Sequence, residues 1–282
     1  MLLQTNRSLS EFSTFGIGGP IRYFLEIRSP EEAREAFLWA RAQNVETRVI
    51  GKGSNSLFSD SPYNGLVLLN KIDHCAINGC EVIVGAGASF SYLGVQSAKA
   101  GLAGLEFASG IPATVGGAIW MNAGANGCET ADCLDHVDYL FATGEIRKFQ
   151  RSELTFGYRK SSFQSMDGCI LSAKFILRPS LDARPLQRKI IETRIKSQPL
   201  KDKSAGCIFR NPSREIAAGA LIDKCGLKGL CVGDAVVSPI HANFIVNAGH
   251  AKAADVLALI EKIQVEVFTK TGIHLEPEIK IW

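Results

Sequence analysis

Hydrophobic and polar positions along this chain switch between the two-residue period of strands and the 3.6-residue period of helices. IRYFLEI (21–27) reads as a strand ending at Ser29. Ser29-Pro30-Glu31-Glu32 then supplies a capping hydroxyl, a proline at the first helical position and acids in the first turn. Ala33, Ala36, Phe37 and Ala40 recur at helical spacing, and TRVIG (47–51) is apolar and β-branched again, so the three segments predict a βαβ unit. Between 65 and 88, GLVLL and EVIVGAGA flank a turn at Asn78-Gly79, and Ser89 opens a helix that ends near Gly101. VDYLF and EIRKF form a hairpin around Ala142-Thr143-Gly144, a short helix is expected around Ser152 to Leu154, and CILSAKFIL (169–177) is a strand.

The pattern changes at Arg178-Pro179-Ser180. A basic helix (185–198) leads to Pro199 and a polar, glycine-containing run from Lys203 to Pro212. A helix from Ala217 to Lys224 is stopped by Gly226, HANFIVN (241–247) reads as a strand, and a long amphipathic helix from Ala251 to Thr271 is capped by Gly272. The fold class expected is α+β, with a separate smaller α/β unit in the C-terminal third.

Composition narrows this little: 282 residues, 46% hydrophobic and 21% charged, suit a globular chain of more than one domain. The net charge of +3 is spread among acids, which predicts no nucleic-acid partner. No apolar run reaches membrane-span length and the first residues lack signal-peptide character, so a cytoplasmic protein without membrane insertion is expected. Eight cysteines without C-x-x-C or paired histidines predict reduced thiols, mostly buried, and no metal site.

Candidate chemistry lies in a few loops. Gly110 to Gly127, GIPATVGGAIWMNAGANG, carries five glycines among small residues. Glycine costs conformational entropy, so this run predicts close backbone approach, with successive N–H groups turned towards a phosphate, or else a tight β turn. Gly51-Lys52-Gly53-Ser54-Asn55-Ser56 follows a strand and matches neither the Walker nor the dinucleotide fingerprint, yet it is rich in donors. In Gly157 to Phe163, Arg159 offers a planar fork for carboxylate or phosphate or a solvated charge. In Ser204 to Pro212, Cys207 sits beside glycine and near basic groups, as reactive thiols do, although inert cysteines are commoner. Glu276 and Glu278 in LEPEI would share a face of a strand, as functional acids or as edge-strand charges.

STFGIGGP, IGKGSNSLFSD, SGIPATVGGAIWMNAGANG, GYRKSSF, SAGCIFRNP, HANFIVN and LEPEIK occur in this order across nearly the whole chain. Together they resemble the UDP-N-acetylenolpyruvoylglucosamine reductases of bacterial cell-wall synthesis, in the shorter type that lacks a long insertion after GYRKSSF. The resemblance implies a two-part FAD-binding domain of the vanillyl-alcohol-oxidase (PCMH) type, residues 1–60 with 276–282 and residues 61–180, and a substrate domain at 181–275. It further implies a monomeric flavoprotein of peptidoglycan synthesis, cell wall biogenesis, cell shape and cell division that holds FAD noncovalently. Such an enzyme takes NADPH as co-substrate and reduces UDP-N-acetylglucosamine enolpyruvate to UDP-N-acetylmuramate.

Carried over by position, the resemblance makes Gly51, Lys52, Gly53, Ser54, Asn55, Ser109, Gly110, Ile111, Pro112, Thr114, Gly116, Gly117, Ala118, Asn122 and Gly124 cofactor-binding. Cys207, where many members have serine, is the catalytic acid; Arg159 polarises the substrate, and Glu278 is the catalytic glutamate. Tyr158, Asn211 and His241 fall on substrate-contact positions. Hydride addition leaves charge on the substrate carboxylate, which a fixed arginine stabilises more in the transition state than in the ground state. A cysteine with a reference pKa near about 8.5 is mostly thiol at neutral pH, an arginine lowers that value and a carboxylate raises it, so the cluster is expected to be balanced.

The chain ends four residues beyond Glu278, so only a very short final strand can anchor that acid. The lysine for the nucleotide diphosphate aligns ambiguously with Lys196 or Lys201. The competing readings are another noncovalent FAD oxidoreductase on the same fold and a non-enzymatic nucleotide-binding or morphogenetic protein. A covalent oxidase would want a histidine near the glycine-rich run, and none lies between His74 and His136.

Overall fold

The computed structural model describes residues 2–282, which divide into two compact units. The first comprises Arg22–Lys52 and Asn64–Thr193 with the N-terminal residues up to Thr5; the second comprises Asn6–Ile21, Gly53–Tyr63 and Arg194–Trp282.

In the first unit, strand β1 (Pro20–Ile27), helix α1 (Pro30–Ala42), strand β2 (Thr47–Ile50) and strand β3 (Tyr63–Asn70) realise the expected βαβ unit, with β3 inserted between β1 and β2 in the sheet. β2 and β3 run parallel, Thr47 opposite Leu66. The Ser29 hydroxyl accepts the Glu32 N–H at 3.2 Å, as the sequence predicted, and α1 buries Ala33, Ala36, Phe37 and Ala40. They pack on Leu66 and Leu68 and on Leu140, Cys169 and Leu171 of a second sheet.

That second sheet is antiparallel throughout. It contains β4 (Cys75–Asn78) and β5 (Glu81–Gly85), then, after helices α2 (Phe90–Lys99) and α3 (Val115–Met121), β6 (Leu134–Phe141), β7 (Ile146–Gln150) and β8 (Gly168–Ile176). The strand order is β7-β6-β8-β5-β4. Helices α2 and α3 share a core with it, Phe90, Leu93, Val115, Ala118 and Ile119 meeting Val82, Val84, Val137 and Phe175. Helix α4 (Ala183–Ser197) runs through the boundary between the two residue sets.

In the second unit, β9 (Ser204–Cys207), α5 (Ala218–Lys224), β10 (Cys231–Val232), β11 (Ala235–Val237), β12 (Phe244–Asn247), α6 (Ala253–Thr271) and β13 (Lys280–Ile281) follow in order. The antiparallel sheet β9-β12-β11-β10 is packed against α5 and α6 through Ile222, Val256, Leu259, Ile260 and Ile263. β13 lies parallel to Ser56–Leu57, and Trp282 meets Phe58 edge to face at 4.6 Å.

Three elements differ from expectation. The glycine-rich run holds α3 in its middle, because Thr114 caps the helix through its hydroxyl and small residues let it pack closely. α6 begins at Ala253 and not Ala251, since the Ala251 N–H is taken by the Asn247 side chain at 3.0 Å. The cysteines are less buried than expected: Cys169 and Cys225 are buried, whereas Cys75, Cys128 and Cys231 are exposed. Cys75 and Cys231 stand on edge strands, which leave one side uncovered.

Asn247 holds this unit together with one carboxamide, which donates to Phe15 C=O at 3.1 Å and accepts from Gly249 and Ala251 N–H. Replacing Asn247 with leucine leaves three groups without partners and should cost about 3 kcal/mol of stability in urea unfolding.

Candidate active site

Ile208 and Phe209 continue β9 beyond its last regular pair, Cys207 with Phe244, and the segment is bonded on both edges. On one edge the Ile208 N–H donates to Asn243 C=O at 2.8 Å; on the other, Ile208 C=O accepts the Glu278 N–H at 2.7 Å. Arg210 N–H donates to Glu276 C=O at 2.9 Å, and Phe209 bridges Pro277. Residues 276–278 thus pair with 208–210 as a single antiparallel bridge outside the regular strands, with Pro277 at the pair where no N–H is required. The bond from Glu278 N–H to Ile208 C=O therefore brings the backbone of Glu278 next to the residue that follows Cys207, and both side chains are half-buried.

The short C-terminal anchor is reinforced from Asn55. Its side-chain amide donates to Glu278 C=O at 3.4 Å and its carbonyl accepts Lys280 N–H at 2.9 Å. Gly206, at φ +75°, makes the turn in β9 that brings Cys207 round to pair with Phe244.

The expected Asn211 is exposed, and its Oδ1 accepts the Ala218 N–H at 3.1 Å, capping α5. His241 is half-buried with its ring edge to Phe244, and its Nδ1 accepts the Asn243 N–H at 3.2 Å, which leaves the proton on Nε2. Lys196 and Lys201 are both exposed. Buried polar atoms lacking partners occur instead at Arg194 Nε, Gln198 Oε1 and Arg210 Nε. Arg194 lies within electrostatic range of Cys207; burial pushes its guanidinium below the ordinary value and the Cys207 charge opposes that. Sequence reasoning missed these arginines because nothing separates them from their surface neighbours except burial.

In the first unit, Arg159 occupies the turn between Phe156–Gly157 and Lys160–Ser161 with left-handed φ +57°. Gln164 Nε2 holds that conformation by donating to Arg159 C=O at 3.1 Å and to Trp120 C=O at 2.9 Å. The Arg159 guanidinium donates to Gly124 C=O at 3.1 Å and lies over the half-exposed Tyr158 ring. Asn122, also left-handed, spends its side chain on Glu129, Gly157 and Ala131, so this expected cofactor residue braces the arginine turn.

The glycine-rich run does not present a row of N–H groups as expected. Ser109, Ile111, Val115, Gly116 and Ala118 donate to backbone carbonyls and Gly110 to Ser91 Oγ, because the run folds into α3 and against the start of α2. Its glycines serve close packing. A Cβ on Gly116 would stand 2.9 Å from Ala86, and one on Gly51 would stand 2.3 Å from Thr114 Oγ1. The donors lie in the earlier loop: among the described residues no intrachain acceptor meets the N–H groups of Lys52, Gly53, Ser54 and Asn55. Ser109 Oγ is buried without a partner, enclosed by the chain itself and not open to a ligand.

Residues 198–282 match the model of the UDP-N-acetylenolpyruvoylglucosamine reductase C-terminal domain, and residues 21–150 match an FAD binding domain. A UDP-N-acetylenolpyruvoylglucosamine reductase from Protochlamydia amoebophila is 53% identical over 279 residues, 98% of this chain and 93% of that protein. The chain belongs to this reductase family. A Chlamydia muridarum protein of the same name is 46% identical, over 99% of this chain and 94% of its own. The crystal structure of the Thermus caldophilus reductase (MurB) superposes with a TM-score of 0.85 at 38% identity, covering all of both chains. The α+β fold is therefore that of an FAD-binding reductase of the MurB family, and the backbone donors of Lys52–Asn55 fit FAD. No helix among the described residues is long and apolar enough to cross a membrane.

Gly51→Ala should lower flavin bound per protein, read as absorbance ratio after purification, because the methyl group drives Thr114 out of place. Flavin content equal to wild type would remove that packing argument.

Burial holds His241 below its ordinary value of 6.5, with Lys228 acting the same way and Asp223 opposing. The unfolded chain then takes this proton more readily than the folded one, so the contribution to stability is full above pH 6.5 and drains as pH falls below it. Urea midpoints should fall across this window, and His241→Gln should flatten that portion of the profile.

Proposed function

We propose that the chain reduces UDP-N-acetylglucosamine enolpyruvate to UDP-N-acetylmuramate with NADPH as reductant, a step in peptidoglycan precursor synthesis in the cytoplasm. The observation that carries this reading is the Ile208 peptide, which ties the backbone of Cys207 to that of Glu278 in a member of this family. FAD would be held noncovalently by Gly51 to Asn55 and by the run from Ser109 to Gly124 and, once reduced by NADPH, would supply hydride to the terminal alkene carbon.

The chain's own residues do the rest. Arg159, held in one backbone conformation by Gln164, sets its positive charge against the substrate carboxylate, where charge grows as hydride adds. Cys207 passes the proton of its Sγ to the carbon beside that carboxylate, and Glu278 orients the thiol. Arg194 and Arg210, whose Nε groups are buried and unpaired, suit the diphosphate better than the exposed Lys196 and Lys201. Tyr158, Asn211 and His241 complete the substrate contacts, His241 as an Nε2–H donor. The three-part division at 1–60 with 276–282, 61–180 and 181–275, and a monomeric state, belong to the same proposal.

An anaerobic flavin spectrum tests the reading. NADPH should bleach the flavin band and the UDP-enolpyruvyl sugar should restore it; a band bleached but not restored would favour another noncovalent FAD oxidoreductase. Cys207→Ala should still be bleached by NADPH, yet be reoxidised by the sugar about 10²-fold or more slowly. Cys207→Ser should retain turnover. Wild-type reoxidation in the alanine variant would remove Cys207 as proton donor.

A further inference from the structure

Asn243 is 3% exposed, and both its backbone groups and both ends of its carboxamide are committed. Its C=O accepts the Ile208 N–H at 2.8 Å. Its Oδ1 accepts the Phe209 N–H at 2.9 Å, and its Nδ2 donates to Phe209 C=O at 2.8 Å. Its own N–H reaches His241 Nδ1 at 3.2 Å.

The pairing of β9 with β12 is irregular between Ser204 and Cys207, and its last pair is Cys207 with Phe244. Beyond that pair the Asn243 carboxamide stands in for a strand partner, satisfying both backbone groups of Phe209 with one donor and one acceptor. The geometry of this double bond is specific. Leucine offers neither group, serine is too short to reach both, aspartate sets a charge against Phe209 C=O, and glutamine is a methylene too long.

We propose that Asn243 is the positioning residue that fixes the orientation of Cys207, through Ile208 and Phe209, and through its N–H also fixes the tautomer of His241. The inference rests on the reading of Cys207 as proton donor. Asn243 acts on the neighbours of the thiol; in consequence, its removal matters for proton delivery and not for the chemistry that precedes it.

The test is a double-mutant cycle on the flavin-loaded enzyme, with each half-reaction followed separately by stopped flow. Asn243→Leu should keep flavin content and the rate of flavin bleaching by NADPH within about twofold of wild type, while slowing reoxidation by the UDP-enolpyruvyl sugar about tenfold or more. Placed in the Cys207→Ala background, the same substitution should slow reoxidation no further, which a merely structural defect would do in both backgrounds alike. Unchanged reoxidation in Asn243→Leu, or equal fold losses in the two backgrounds, would overturn the proposal while leaving Cys207 as donor. Wild-type reoxidation in Cys207→Ala would overturn the donor reading and this proposal with it. Should Asn243→Leu fail to fold, Asn243→Ser carried through the same cycle decides the matter, with the alkylation rate of Cys207 by iodoacetamide as a readout independent of turnover.

Discussion

Everything in the second unit turns on a strand segment bonded along both edges. Ile208 gives its N–H to one neighbour and its C=O to another, and those neighbours come from residues 243 and 278. A segment held on one edge can slip or twist; one held on both cannot move without breaking a bond on either side. Cys207 and Glu278 are thus attached to backbone next to a residue bonded on both sides. Precise placement of side chains on rigid elements is what proton delivery requires.

The first unit solves a similar problem by different means. Arg159 sits in a left-handed conformation that costs an ordinary side chain about 1 kcal/mol, and Gln164, Asn122 and the nearby carbonyls of Trp120 and Gly124 hold it there. Such strain survives only where its surroundings over-determine it. The glycines of the neighbouring run contribute exclusion, giving room for helix and loop to touch, and hydrogen-bond donors are provided elsewhere, by the loop after β2.

The periodic elements were legible from sequence because burial of one face imposes a period. Ser29, Ser89 and Gly272 marked helix ends whose caps form as the side-chain chemistry dictates. What could not be read was tertiary bonding by polar groups. HANFIVN reads as a continuous strand, yet Asn243 lies outside β12 and uses its side chain as a backbone substitute. The signal was present, an asparagine amid apolar residues, but its partner lies 34 residues away. Likewise Arg194 cannot be told from Lys196 until its Nε is seen buried and Lys196 exposed. The family motifs pointed to Arg159, Cys207 and Glu278, whereas the residues that brace them carried no motif.

The Phe58–Trp282 contact and the pairing of Lys280–Ile281 with Ser56–Leu57 also bear on how the chain is made. Residues 22–193 contain nearly all of the first unit and can assemble while the ribosome is still at work. The second unit draws on 6–21, 53–63 and 194–282, with Thr14 bonded to Ser204 across 190 positions. Its early segments bond among themselves through Gly19 and Ser59, but their packing waits for residues made some 190 positions later, so the second unit closes after the core of the first.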